Sequence, residues 1–282
     1  MNSKEKSMKN SQDFSPILIS GATGGLGKAF AVECASRGWN LYLTDINTKA
    51  LQQLAVSLSQ TYGVSVQVCA CDLTDTDSRQ TLFSVIQKEG TCFWGLINVA
   101  GLDFEGPFYE QSPQKIQTII RLNIEGTLDM IHNIVAFRDP AQTFRIVNVA
   151  SLAAFYPMPI KATYAASKRF LLDFSLALRN EMQEMNATVT VLCPAGMPTT
   201  ASCVESIDSQ GWMGQLTTWN TGSVANLTLN AALKGRAVCV PGLVNQLLQG
   251  FGSLIPRRIL VNLIGWRWKK TRERKQSAPA AA

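Results

Sequence analysis

The feature that most constrains this chain is an alternation. Short, apolar, β-branched runs recur along it, and each is separated from the next by a stretch with helical periodicity. The runs are Ile17 to Ser20, Leu41 to Thr44, Ser65 to Cys71, Gly95 to Val99, Arg145 to Val149, Thr188 to Cys193 and Ala237 to Val240. Between them the helical patterns cover Leu26 to Arg37, Thr48 to Tyr62, Asp77 to Lys88, Pro113 to Phe137, Thr163 to Met185 and Ser223 to Leu233. A strand that reaches its neighbour through a helix pairs with it in parallel, and parallel strands are covered on both faces. Continuous apolar runs such as Val189 to Leu192 suit that burial. The expected fold is therefore α/β, a doubly wound parallel sheet of seven strands in a single domain. Its organisation reads as a polar tail over 1–15, the sheet domain over 16–242 with a long loop at 197–222, and an amphipathic, basic segment over 243–282.

Composition agrees: 282 residues, 46% hydrophobic and 16% charged, exclude a disordered chain and a disulfide-stapled miniprotein. The net charge of +6 suggests an anionic partner until its location is read. From Arg257 onward eight basic residues face one acid, Glu273, so the body is near neutral and the charge belongs to the tail. No reading module accompanies it, which argues against nucleic acid. Leu243 to Trp268 mixes aliphatic residues and two tryptophans with Arg257, Arg258 and Arg267. Such a segment suits a helix on an anionic membrane surface; alternatively its apolar face closes a pocket or packs on a partner subunit. The stretch 237–256, with Pro241 and three glycines, is a poor membrane span. Seven cysteines, mostly in apolar runs, read as reduced core thiols, and residues 1–14 lack an apolar signal core, so a cytoplasmic protein is expected. Cys69 and Cys71 lack the extra ligands of a zinc site, and the sole histidine, His132, lies in a helical pattern, so no metal is expected.

The first strand runs into Ser20-Gly21-Ala22-Thr23-Gly24-Gly25-Leu26-Gly27 at the opening of a helix. A glycine-rich strand-to-helix turn brings backbone N–H groups and the positive helix end to a pyrophosphate, making Gly21, Thr23, Gly25, Leu26 and Gly27 cofactor candidates. Asp45, 18 residues beyond Gly27 at the tip of the second strand, can accept from ribose hydroxyls and repels a 2′-phosphate. Position 46 is Ile rather than the Arg or Lys that would pair such a phosphate, so NAD is favoured over NADP. Asp72 with Leu73, and Asn98 with Ala100 and Gly101, follow at the ends of the third and fourth runs, the sheet edge where α/β folds bind ligands.

Tyr164 and Lys168 lie four apart on one helix face. A phenol needs an adjacent ammonium to act as acid or base near neutrality. Ser151, 13 residues earlier, follows the fifth strand and can donate to a substrate oxygen from a second direction. Asn123 is a polar residue inside a good helical pattern, where a solvent-facing position is equally acceptable.

The whole pattern resembles the short-chain dehydrogenase/reductase family over about residues 16 to 200: the Gly21, Gly25, Gly27 turn, Asp45, Asp72-Leu73, Asn98 to Gly101, Asn123, Ser151, Tyr164 to Lys168, and Pro194 with Thr199. Lys234 to Gly242 and Pro256 to Arg258 resemble a bacterial, steroid dehydrogenase-like branch. The resemblance implies a Rossmann-type fold and a catalytic set of Asn123, Ser151, Tyr164 and Lys168. It also implies a nicotinamide cofactor touched by Pro194 and Thr199, and a homodimer or homotetramer. Ser20, Val99 and Ala195 depart from the usual Thr, second Asn and Gly. The mechanism implied is hydride transfer between a secondary alcohol and a ketone, with Tyr164 as acid/base, Ser151 polarising the substrate oxygen, Lys168 lowering the tyrosine pKa while binding the nicotinamide ribose, and Asn123 holding a relay water; Tyr164 and Lys168 thus count among the cofactor-binding residues as well. Met197, Trp212, Met213 and Trp219 in the long loop, with Phe155, Tyr156 and Met158 before Tyr164, suit a bulky apolar substrate such as a steroid, bile acid or acyl chain. Phe155, Met158 and Trp212 are the candidate contacts beyond Ser151 and Tyr164. The alternatives are a 3-oxoacyl reductase and a non-catalytic dinucleotide-binding scaffold.

Overall fold

The computed structural model describes residues 15–197 and 218–266, without the side chains of 251–254. Thr199, Trp212 and Met213 lie outside the described residues. Seven strands form one parallel sheet in the order β3-β2-β1-β4-β5-β6-β7: β1 Ile17–Ser20, β2 Leu41–Asp45, β3 Val66–Ala70, β4 Gly95–Asn98, β5 Phe144–Val149, β6 Ala187–Leu192 and β7 Val238–Cys239. The chain winds outward from β1 through β3, returns to lay β4 on the other side of β1, and continues outward to β7. The order reverses between β1 and β4, which opens a crevice beyond their C-terminal ends.

Helices cover both faces. One core layer joins β1, β2 and the helices α1 (Gly25–Ser36), α2 (Thr48–Tyr62) and α7 (Thr221–Leu233), around Ile19, Phe30, Leu43 and Leu229. The opposite layer joins α3 (Thr76–Glu89), α5 (Thr127–Ile134) and α6 (Ala162–Glu181), around Leu18, Leu82, Ile134 and Val189. The strand ends of this second layer are tied by side chains as well. Asn98 Nδ2 donates to Asn148 Oδ1 across β4 and β5 at 2.9 Å, and Asn148 Nδ2 donates to Ser175 Oγ on α6 at 2.9 Å. Val99 therefore does not leave the central strand without a polar side-chain tie, because Asn98 supplies it. Arg79, 1% exposed, holds α3 to Asp129 of α5 and to Glu125 just before that helix, and donates to the Leu73 carbonyl at 2.7 Å.

Two expectations need correction. The helix read over Pro113 to Phe137 is not uniform: α4 (Pro113–Ile120) and α5 are separated by a six-residue π turn, Arg121–Gly126. At its end Gly126 lies so close to the Leu73 carbonyl that an added Cβ would come within 2.8 Å, so a side chain there would push the helix off the sheet. The C-terminal segment is two helices rather than one, α8 (Leu243–Leu254) and α9 (257–266), broken at Pro256, which cannot donate the backbone bond that continuity requires. The inner side of this pair packs on the chain's own loop after β5: Tyr156 Oη donates to the Leu248 carbonyl, and Gly265 faces Pro159. Trp219 and Met197 pack onto the first core layer, with Trp219 against Gly242.

Candidate active site at the sheet edge

The C-terminal ends of β1, β2 and β4 converge on the glycine turn. Gly21 adopts φ +65, and an added Cβ would lie 2.7 Å from the Ala100 nitrogen, so only glycine lets β1 turn against β4. A Cβ on Gly27 would come within 2.0 Å of the Gly21 carbonyl oxygen, which fixes the first turn of α1 against the loop. Thr23 N donates to Asp45 Oδ2 at 2.9 Å and Asn47 N to Oδ1 at 3.2 Å, holding the carboxylate beside the turn with lone pairs to spare. Asp72 Oδ1 accepts from Thr74 N and Oγ1 at 2.8 and 2.7 Å, ordering the loop after β3. Leu73 is buried beneath it. A backbone cradle that side chains would fill, flanked by an acid at the tip of β2, fits the dinucleotide that these residues predict.

Asn98 was expected among the cofactor residues, and the structure turns its side-chain amide toward Asn148. Pro194 follows β6, and its carbonyl accepts from Leu152 N at 2.7 Å, joining the loop after β6 to the one after β5.

The reacting groups lie one layer away. Ser151 leaves β5 in extended backbone, half-buried, its Oγ accepting from Ala153 N at 3.1 Å. Tyr164 and Lys168 occupy the first turns of α6, and the Lys168 ammonium lies 5.8 Å from the Tyr164 ring centroid. Lys168 is 3% exposed; its Nζ donates to the Val149 carbonyl at 2.9 Å. Burial lowers its pKa to about 8, opposed by the nearby Asp103 carboxylate. The native protein thus releases this proton as pH rises through about 8, while an unfolded chain holds it to about 10.4. Stability consequently gains over that window, but the cation that favours a Tyr164 phenolate is lost.

Asn123 is fully buried rather than solvent-facing. Its Oδ1 accepts from Leu102 N at 2.9 Å, and Nδ2 donates to the Leu102 carbonyl and to Ser167 Oγ, each at 3.0 Å. The π turn delivers this amide to the sheet edge. Gly101 is where the parts meet: an added Cβ would stand 3.1 Å from Lys168 Nζ and 3.2 Å from Asn123 Oδ1. Phe155 packs against the small core beside α6, and Met158 is half-buried in the same loop. Sequence reasoning missed Asp103, Glu105 and Lys161. Lys161 Nζ lies 2.5 Å from Asp103 Oδ2 and 3.6 Å from Glu105 Oε2, beside Tyr164. Lys161, three residues before Tyr164, was the available signal.

Comparison with known proteins gives one consistent frame. The family model for short chain dehydrogenase matches residues 15–209. The chain is similar to human 17-beta-hydroxysteroid dehydrogenase type 3, with 28% identity over 85% of this chain and 74% of that protein. It is also similar to a very-long-chain 3-oxoacyl-CoA reductase of Laccaria bicolor, with 30% identity over 61% of this chain, but spans only 52% of that protein. A short-chain dehydrogenase of Sphingobium yanoikuyae, solved with NADPH, superimposes with a TM-score of 0.73 and 25% identity, covering 86% of this chain and 96% of that one.

Because a methyl group at Gly101 would press on both groups at 3.1 and 3.2 Å, Gly101→Ala pushes the Lys168 ammonium and the Asn123 amide aside by a few tenths of an ångström. Oxidoreductase turnover is expected to fall by about tenfold or more, the equivalent of ~1.4 kcal/mol in the barrier, with circular dichroism unchanged and any loss of dinucleotide affinity smaller than the loss of turnover. Steady-state kinetics beside a dinucleotide titration checks this.

Proposed function

The chain belongs to the short chain dehydrogenase family, oxidoreductases acting on CH–OH groups, and from that premise we propose that it interconverts a secondary alcohol and a ketone on a bulky apolar substrate, a hydroxysteroid or bile-acid-like compound, with NAD as the favoured cofactor. The observation that carries the chemistry is the Lys168 ammonium, buried within 5.8 Å of the Tyr164 ring centroid at the sheet edge where Ser151 also lies.

Tyr164 gives a proton to the carbonyl oxygen during reduction and takes it from the alcohol during oxidation. Lys168 favours the phenolate between these events. Ser151 donates to the same substrate oxygen and holds it against Tyr164. The nicotinamide, when bound, supplies or accepts the hydride. Both side-chain polar atoms of Asn123 are engaged with Leu102 and Ser167. Nδ2 spends both of its donors there, while Oδ1 keeps one lone pair with which Asn123 would hold a relay water. Gly21, Thr23, Gly25, Leu26 and Gly27 would hold the pyrophosphate, Asp45 the ribose, and Asp72 with Leu73 the adenine; Ala100, Gly101 and Pro194, with Thr199 by its place in the sequence, would hold the nicotinamide side.

Ile46, 67% exposed beside Asp45, offers no cation to a 2′-phosphate, which supports NAD. The apolar loop of Phe155, Tyr156 and Met158, roofed by α8 and α9, supports a bulky apolar substrate. The similarity to a 3-oxoacyl-CoA reductase favours a second reading, an acyl thioester substrate. Exposed Phe170 and Leu176 on α6 and Ile120 on α4 support a homodimer through these helices.

The C-terminal helices support peripheral contact with an anionic membrane. Leu243 and Leu247 on α8, and Ile259, Leu263 and Trp266 on α9, project outward at helical spacing, each more than half exposed. Arg257 and Arg258 are exposed among them, and six basic residues lie at 267–275 in sequence. No helix among the described residues is long and apolar enough to cross a membrane.

A panel of ketosteroids, bile acids and 3-oxoacyl thioesters, each with NADH and with NADPH, tests reaction, substrate and cofactor together. Turnover is expected with a ketosteroid and NADH, reduced about a hundredfold or more in Tyr164→Phe with NADH affinity retained. Parent-like rates in that variant, or turnover restricted to NADPH, contradict the assignments. In vesicle sedimentation the full chain is expected to follow phosphatidylglycerol but not phosphatidylcholine, and Ile259→Glu with Leu263→Glu to release it. Absence of the full chain from the anionic pellet rules the contact out.

A further inference from the structure

Tyr164 has two lysine ammoniums within cation–π range, not one: Lys168 at 5.8 Å and Lys161 at 5.9 Å from the ring centroid. The second is built into a strap between two loops. Lys161 Nζ meets Asp103 Oδ2 at 2.5 Å and Glu105 Oε2 at 3.6 Å, with only 15% of its side chain exposed. The backbone is fastened at the same place, where Gly106 N donates to the Ile160 carbonyl at 2.8 Å and Gln111 Nε2 to the Gly106 carbonyl at 3.0 Å. Ile160 has φ +61, a conformation that a β-branched residue adopts only under constraint. This strained residue directly precedes Lys161, so the strap and the backbone beside it together hold the ammonium next to Tyr164.

We propose that Lys161, clamped by Asp103 and Glu105, is a positioning residue that sets the ionisation of Tyr164, and that Asp103 is the counterweight holding that ionisation in place. The inference rests on Tyr164 being the acid/base. The charges around the ring act in opposite directions. Lys161 and Lys168, both on α6 or at its start, favour the phenolate. Asp103 and Glu105, on the segment after β4, oppose it, and Asp103 also acts on Lys168. The remaining neighbours add little charge. Cys193, at the end of β6, has its thiol pushed up to about 12 by burial and stays neutral. The loop from Ser151 to Ile160 has Tyr156 as its one titratable side chain, itself raised by burial. On the packed C-terminal helices Arg257 and Arg258 are solvent-exposed.

Opposing charges predict opposing shifts. Lys161→Met leaves two carboxylates uncompensated beside the phenol and moves the Tyr164 titration upward; Asp103→Asn leaves the ammonium less neutralised and moves it downward. A strap that served structure alone would loosen the site in both variants and shift both alike or neither. The test is the titration of Tyr164 Cζ by NMR in protein labelled at tyrosine, the resonance assigned by its absence in Tyr164→Phe. Shifts of about one pH unit in opposite directions are expected, with Lys161→Arg close to parent and the double variant Lys161→Met/Asp103→Asn between the singles. Equal shifts, shifts of one sign, or none overturn the proposal, and a Lys161→Arg protein that behaves as Lys161→Met does so too. The acid/base reading fails separately, through turnover in Tyr164→Phe.

Discussion

The site depends on one buried charge. Lys168 is enclosed on every side, its ammonium answered by the Val149 carbonyl at the end of β5. A buried ammonium is costly and survives only where the surrounding structure compensates it. Here the compensation is distributed: the carbonyl, the Asp103 carboxylate and the absence of a side chain at Gly101 each remove part of the difficulty. These groups belong to β5, to the segment after β4 and to α6, so the ammonium is compensated in its buried position only once β4, β5 and α6 are assembled.

The sheet supplies that assembly. The reversal of strand order between β1 and β4 opens the crevice where the glycine turn lies, and the Asn98, Asn148 and Ser175 chain locks β4, β5 and α6 in register one layer below. The π turn then solves a placement problem. A regular helix from Pro113 onward would distribute its residues evenly around the axis. The wider turn at Arg121–Gly126 instead leaves Asn123 facing Leu102 and Ser167, and Gly126 against Leu73. Nucleotide side and reacting side are thus joined through a single irregular helix.

Most of the architecture was legible in the sequence because it follows period. All seven strands lie where apolar, β-branched runs predict them, and α2 spans Thr48–Tyr62 as its pattern indicates. What stayed hidden was geometry without a periodic signature. One extra residue per turn barely disturbs an amphipathic pattern over six residues, so the π turn read as ordinary helix and Asn123 as fit for solvent. The strap was hidden for another reason: Lys161 lies more than fifty residues along the chain from Asp103 and Glu105, and only the folded loops bring them together. Pro256, by contrast, was a visible break within a pattern read as continuous.

The account stands on Lys168 being a buried cation of lowered basicity rather than a solvated one. Its Cε resonance, followed by NMR in lysine-labelled protein and assigned by its loss in Lys168→Met, reads that state directly. Titration near pH 8 is the predicted result; titration at the value of about 10.4 ordinary for lysine would contradict it.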